Sequence, residues 1–463
     1  MTDSGAYQIL VYGGVDVSPE EIIRFQENIG TDVAVILDIP TGWNVKRERA
    51  EYTVGETLKR AKAIPQIRTR KDLLWVGPIQ GGNHLDLVSH AASEISKIPF
   101  DIYALGSPTQ VIEQYLFDIM VDMIVAAKKN LPPDKPFHLF GAGHPFMLSF
   151  AVAMGCDMFD SAAYALYARR GKYMIDYGTI GLKDLSYFPC ACKLCSNHTP
   201  KEVLKMSANN REYFLAWHNL HQCFTEIRRI KQAMISGRLW ELLELRAKGH
   251  PFLLQALKRV GEYSEYLESG TPISKQKGLL YFSSSGLQRP EILRYRKKSI
   301  RWFPSTQADV LILLSKPASK PFHRSREYRK TLTLMEKRFG SDMNKLQFCT
   351  YTAPFGLIPV ELDEIYPLSQ FEMTNSPNVE TANFVAEQVE EFLKYKRYRL
   401  IALQFCPLFG EKVERVCKKV VGLETLLVSG KNEKLWTKNS ITNFVESTYK
   451  AFKELYYPSL NGI

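Results

Sequence analysis

Short apolar runs alternate with longer stretches of helical spacing from the start of the chain, at residues 9–12 then 19–29, 33–37 then 48–63, and 73–76 then 85–98. Each run is four or five residues long, and in each following stretch apolar positions recur near every 3.6 residues. That is the pattern of β/α units feeding a parallel sheet. The series continues with a strand over 101–105, a helix over 109–129, a strand over 137–140 and a helix over 145–154. Five or more such units in tandem predict a (β/α)8 TIM-like barrel, whose reactive residues sit at the C-terminal ends of the strands. An open doubly wound sheet produces the same alternation and is the alternative.

The remaining length divides in the same way. Residues 199–268 read as strongly helical. Residues 269–304 mix Gly, Pro and Ser with the basic run Arg294-Tyr295-Arg296-Lys297-Lys298 and read as a linker or connecting segment. A second α/β segment follows, with strands at 310–314, 400–405 and 425–428 and helices at 324–339, 381–395 and 412–421. The predicted division is 1–268, 269–304 and 305–463, which suits a chain of 463 residues.

A composition of 45% hydrophobic and 24% charged residues excludes a disordered or fibrous chain. The most apolar helical window, 116–127, is interrupted by Asp118 and Asp122, so no membrane span is expected. Residues 1–5 carry neither a basic nor an apolar export signal, which points to the cytoplasm. Lysine and arginine exceed aspartate and glutamate, 60 against 49, and the net charge of +11 favours an anionic partner such as nucleic acid.

Three of the eight cysteines crowd into Cys190-Ala191-Cys192-Lys193-Leu194-Cys195. In a cytosolic chain this spacing reads as metal ligation rather than disulfide bonding. With His218 it supplies three thiolates and an imidazole, the closed tetrahedral set that structural zinc prefers, in a subdomain at about 186–225. His198 and His221 are rival fourth ligands by spacing.

Aspartates stand where strands are expected to end: Asp3 in Thr2-Asp3-Ser4-Gly5-Ala6-Tyr7-Gln8, Asp38 before Ile39-Pro40, and Asp160 in Phe159-Asp160-Ser161-Ala162. A barrel would gather such carboxylates at one mouth, where two of them can divide into nucleophile and general acid/base. For any single aspartate beside Gly or Pro, a turn or helix cap is the alternative. Glycines punctuate the same turns in Gln80-Gly81-Gly82, Leu105-Gly106-Ser107 and Phe140-Gly141-Ala142-Gly143-His144-Pro145.

These segments, with Val76-Gly77-Pro78-Ile79-Gln80-Gly81, the cysteine cluster and His218-Asn219, occur in the order found in the archaeal tRNA-guanine transglycosylases, and the chain resembles that family over at least residues 1–260. The resemblance implies a TIM barrel with a zinc insertion that exchanges guanine in the D-loop of tRNA for free preQ0, the first step of archaeosine synthesis. It implies Asp160 as the nucleophile on ribose C1′ and Asp3 as general acid/base. Tyr7 and Phe140 would sandwich the base, with Asp38, Gln80 and the Gly106 backbone reading its edge. Cys190, Cys192, Cys195 and His218 match the family's zinc ligands, and a homodimer through the zinc region is a family expectation.

Two departures accompany the resemblance. The Thr-Asp-Ser-Gly segment starts at Met1, although in the family about two β/α units precede it. A barrel without its N-terminal units is therefore expected, completed by an upstream segment or by a separate subunit. No segment resembles the RNA-binding PUA domain of many family members.

From residue 310 the chain resembles the second half of archaeosine synthase, at Leu313-Leu314-Ser315-Lys316-Pro317-Ala318-Ser319-Lys320-Pro321-Phe322-His323-Arg324-Ser325 and at Ala353-Pro354-Phe355-Gly356. There Ser315-Lys316 replaces the family's Pro-Cys, Phe322 its Tyr and Tyr328 its His. The expected function is base exchange at guanine 15 through a covalent Asp–ribose intermediate. The alternatives are a synthase-type enzyme acting on preQ0-tRNA and a non-catalytic tRNA-binding subunit.

Overall fold

The computed structural model describes residues 1–14, 16–302, 308–374, 377–421, 426–431 and 434–458. The chain divides into two units, Met1–Glu262 and Tyr263–Ile463.

The first unit is built on five parallel strands, β1 (Val33–Val35), β2 (Leu74–Ile79), β3 (Ile102–Leu105), β4 (Phe137–Leu139) and β5 (Met158–Phe159), hydrogen-bonded in the order in which the chain makes them. Doubly wound sheets reverse strand order at a switch point, whereas a barrel adds each strand beside the last. The unbroken order therefore selects the expected barrel-type sheet, here a curled half-barrel of five described strands. Thr2 adds one bridge beyond β1, pairing in parallel with Ala34.

Amphipathic helices cover the sheet. Arg47–Ile67 buries Ala50, Val54, Leu58, Ala61 and Ile64, a stripe at the i, i+4, i+7 spacing that puts apolar groups on one face. Inside the curl Val35, Val76, Ile102 and Ala104 pack together, with Val33, Phe140 and Met158 against them. The strand expected at 9–12 is instead part of the helix Tyr7–Tyr12, closed by Gly13 at φ 85°. Four apolar residues do not distinguish the two periods, and Thr2 takes the sheet-edge position. The helix expected over 109–129 is two, Pro108–Glu113 and Phe117–Lys128, parted by Tyr115 at φ 60°.

After β5 the chain forms the antiparallel hairpin of β6 (Lys172–Ile175) and β7 (Gly178–Gly181), then the long helix Ala208–Ile235. Tyr173, Ile175, Leu182, Val203, Phe214 and Leu215 form a small core around Cys192 and Cys195.

In the second unit β8 (Leu279–Tyr281) pairs with β12 (Phe371–Met373). The main sheet runs β11–β10–β9–β13–β14, with β9 (Val310–Ser315), β10 (Leu346–Thr352), β11 (Gly356–Pro359), β13 (Leu400–Gln404) and β14 (Leu426–Ser429). The chain moves from β9 outward to β10 and returns to the other side of β9 with β13, the reversal of a doubly wound sheet. Helices Arg326–Phe339 and Lys438–Tyr456 pack on one apolar face, and Val379–Tyr395 and Gly410–Val421 on the other. The expected linker is folded into this unit: besides β8 it supplies the helix Pro290–Trp302. The expected boundary at 304/305 and residue 425 lie outside the described residues. Among the described residues no helix is long and apolar enough to cross a membrane.

Candidate active site

Register decides which residues meet. Ile79 pairs with Leu105, Leu105 with Leu139, and Leu139 with Phe159. The next residue along each strand therefore forms a second row at the C-terminal edge: Gln80, Gly106, Phe140 and Asp160. These are four residues the sequence singled out, and alternation of side chains turns them to the same face as Val76, Ile102 and Ala104.

At one end of this row Asp38 and Gln80 are both buried, and Gln80 Nε2 donates to Asp38 Oδ2 at 2.5 Å. Gln80 Oε1 accepts from the Thr41 amide and the Ser107 hydroxyl, each at 2.9 Å, so the amide cannot rotate without losing both. Ser107 pays for its part in this network with a positive φ of 66°. Burial pushes Asp38 up to about 6 despite the bond from Gln80, and the charge of Asp3 adds to the effect. Gly106 leaves the space this network needs: a Cβ there would stand 2.1 Å from Gln80 Nε2. Its amide is bonded to the Ile79 carbonyl at 2.9 Å.

Asp3 is exposed, next to Thr2 at the edge of β1, and its Oδ1 accepts from the Ser4 amide at 2.8 Å. Tyr7 is half-exposed on the first turn of its helix, Phe140 is partly buried, and no ring contact joins them among the described residues.

At the other end of the row Asp160 is 58% exposed. Its Oδ1 accepts from the Gly141 amide at 3.0 Å and lies 3.0 Å from Nε2 of His138, which is buried. Burial pushes the carboxyl up, but these donors outweigh it and hold Asp160 below the ordinary carboxylate range. Gly141 has φ 63°, and a Cβ there would meet Thr109 Oγ1 at 2.2 Å, so glycine is required for the amide to point this way. The sequence reading missed His138. The available signal was a single imidazole two residues before Phe140, hence on the same face of an otherwise apolar strand.

The loop that follows β4 is tied to the hairpin. His144 Nε2 donates to the Gly178 carbonyl at 2.8 Å, and its Nδ1 accepts from the Phe146 amide at 3.2 Å. Burial pushes this imidazole down to about 4, which matches a ring that must be neutral to accept at Nδ1.

The three cysteine sulfurs and the His218 ring nitrogen lie within 4.8 Å of one another. His218 Nδ1 is 3.5 Å from Cys195 Sγ and 3.8 Å from Cys192 Sγ, while Nε2 donates to the Met174 carbonyl at 2.8 Å. That outer bond fixes the tautomer with Nδ1 bare, the state a metal needs. The Gln222 amide at 3.2 Å and the Cys192 amide at 3.4 Å point at Cys190 Sγ, donors suited to a thiolate. The residues present fit a closed four-ligand metal site. The rivals lie elsewhere: His198 bonds the Leu194 carbonyl at 3.0 Å and His221 stacks on Trp217.

In the basic stretches at 228–231 and 294–298 several cations are neutralised within the chain. Arg229 pairs with Asp176 at 2.9 Å, Arg294 with Glu268 at 2.6 Å and Lys297 with Glu265 at 2.7 Å. Arg228 and Lys231 are exposed and carry no ion pair among the described residues.

Residues 1–252 match the family model described as queuine tRNA-ribosyltransferase, and residues 292–447 match one described as a domain of unknown function, DUF5591. The chain is 44% identical over 380 residues to a protein of Methanocaldococcus jannaschii named tRNA-guanine(15) transglycosylase, covering 81% of this chain and 55% of that protein. Proteins of the same name from Methanococcus maripaludis and Saccharolobus solfataricus are 40% and 39% identical, over 91% and 90% of this chain and 63% and 83% of their own lengths. The chain thus spans little more than half the length of several methanogen relatives that it matches.

Proposed function

Because the chain belongs to the queuine tRNA-ribosyltransferase family, we propose that it is a tRNA-guanine(15) transglycosylase, a pentosyltransferase that replaces guanine 15 of tRNA with preQ0 in the archaeosine pathway. The observation that carries this reading is the row Gln80, Gly106, Phe140 and Asp160 at the C-terminal edge of the parallel sheet, with Asp38 locked to Gln80 and Asp3 at the neighbouring edge.

Asp160, held ionised, attacks C1′ and displaces guanine, leaving a ribose ester. Asp3 supplies the proton to the departing base and takes one from the incoming base. Asp38, oriented by Gln80, accepts from the N–H groups on the base edge. Phe140 and Tyr7 offer aromatic faces to a base taken out of its stack. Cys190, Cys192, Cys195 and His218 would hold zinc, which supplies folding energy to the hairpin and leaves no position for substrate. The exposed stripe Tyr213, Leu220, Phe224 and Ile235 on helix Ala208–Ile235 supports a homodimer through this region.

The test is exchange of labelled guanine into tRNA by the purified chain, followed by insertion of preQ0. Exchange abolished by Asp160→Asn, with loss of a covalent tRNA adduct on a denaturing gel, supports the proposal. Binding of tRNA without exchange or preQ0 insertion defeats it in favour of a tRNA-binding subunit.

A further inference from the structure

His138 lies in the row Pro78, Ala104, His138 and Met158, two residues below the row that ends in Asp160. It is 3% exposed, and its ring meets Phe140 edge-on with centroids 4.7 Å apart. Burying an imidazole costs free energy unless its polar atoms find partners. Among the described residues neither ring nitrogen has a partner at hydrogen-bond geometry, and Nε2 stands 3.0 Å from Asp160 Oδ1 as an ion-pair contact. The Gly141 amide, 3.0 Å away, aims at the same oxygen. Oδ2 carries no bond to another residue among the described residues. A carboxylate bonded at one oxygen by the Gly141 amide and approached at the same oxygen by the buried His138 ring has its second oxygen directed and unencumbered. The burial of His138 means that it cannot swing aside when substrate enters.

We infer that His138 is a positioning residue for Asp160, holding Oδ1 with the Gly141 amide so that Oδ2 meets C1′, and stabilising the charge that returns to the carboxylate when the ribose ester breaks. This rests on the base-exchange reading above. In the first step an Oδ2 lone pair forms the O–C1′ bond. The C1′–N bond breaks, and its electron pair leaves with guanine, which Asp3 protonates. Oδ1 is then a neutral ester carbonyl, to which hydrogen bonds are weaker than to a carboxylate. In the second step the incoming base gives its proton to Asp3 and bonds to C1′, and the C1′–O electron pair returns to Asp160. Fixed donors at Oδ1 lower the barrier to that return because they act where charge develops. Removing His138 therefore slows breakdown of the ester, and the adduct accumulates.

His138→Phe keeps the ring packing and removes the donor, and His138→Gln restores an N–H near Nε2. The Phe variant is expected to lower guanine exchange about 10- to 100-fold and to raise the fraction of protein trapped as tRNA adduct at steady state. Metal content and tRNA affinity should stay at wild-type levels, and the Gln variant should recover most of the loss. Exchange within twofold of wild type with an unchanged adduct fraction overturns the proposal.

A carboxyl-carbon NMR titration of the free protein, with Asp160 assigned by its loss in Asp160→Asn, reads the same contact without catalysis. The groups acting on this carboxyl are His138 from β4, the Gly141 amide from the next loop and its own backbone amide, while Asp3 acts on Asp38. The Asp160 titration should move to higher pH in His138→Phe. An unmoved titration overturns the contact even where exchange is lost. A wild-type chain that exchanges no guanine defeats the base-exchange reading instead, and the contact then stands or falls on the titration.

Discussion

Asp38, bonded to Gln80 at one end of the row, carries an electrostatic penalty of burial and is the residue through which the proposed function is set against stability. Burial pushes its carboxyl up to about 6. Between the ordinary value near 4 and that point the folded chain keeps a proton that the unfolded chain has released, so its contribution to stability falls as pH rises through the window. Above it the buried carboxylate costs on the order of 3 kcal/mol. Asp38→Asn, which can still accept from Gln80, should raise the thermal midpoint at pH 7.5 and leave it unchanged at pH 4, while cutting base exchange by ~10²-fold. Equal midpoints at both pH values would show that the carboxylate is not buried as described. The two aspartates proposed to carry catalysis separate differently. Asp160→Asn should abolish the adduct, because an amide is a poor nucleophile, whereas Asp3→Asn should slow exchange ~10²-fold with tRNA binding intact. Single-turnover assays distinguish the two.

The loop between β4 and the helix Leu148–Ala153 works as one element with the β6–β7 hairpin, because His144 joins them. Its imidazole, pushed down to about 4, gives stability that is complete above the ordinary histidine value near 6.5 and is lost as pH falls toward 4, where the unfolded chain binds the proton first. Hydrogen exchange in residues 172–181, corrected for the intrinsic rate, should speed up across that window. His144→Ala should be fast at both ends, and protection independent of pH would exclude the latch. Asp38 acts with the opposite sign between about 4 and 6, so the wild-type stability profile is flatter than either group alone would make it. The same hairpin carries the Met174 carbonyl that orients His218. Cys192→Ser should therefore release about one metal ion per chain and loosen the loop that holds the Gly141 amide against Asp160. Elemental analysis together with exchange in residues 140–145 checks both effects.

At the scale of the whole molecule the +11 charge is real, but much of the basic sequence is spent on internal ion pairs. Arg228 and Lys231 remain open on the exposed face of helix Ala208–Ile235. The double variant Arg228→Ala, Lys231→Ala should weaken tRNA binding and lower the slope of log affinity against log salt by about 1 to 2. Lys297→Ala, which breaks a pair with Glu265, should leave that slope unchanged. A filter-binding salt series decides between them, and equal slopes for all three proteins would remove this face from the tRNA contact.

Composition, alternation and spacing determined that the chain carries two α/β regions, that Cys190, Cys192 and Cys195 form a cluster able to hold a metal ion, and that Asp38, Gln80, Gly106, Phe140 and Asp160 stand at strand ends. These are local properties: apolar period, turn chemistry and ligand spacing are written in neighbouring residues. The same alternation produced consecutive strand order in the first unit and a reversal at β9 in the second, because the side on which each new strand docks depends on packing between distant helices and strands. Spacing favoured His218 but left His198 and His221 as rivals. The fold chose His218, since it alone turns a ring nitrogen to the sulfurs while the Met174 carbonyl holds the other. His138 became a neighbour of Asp160 only through strand register, because a contact between residues 22 positions apart follows from the pairing of β4 with β5 and from nothing local to either.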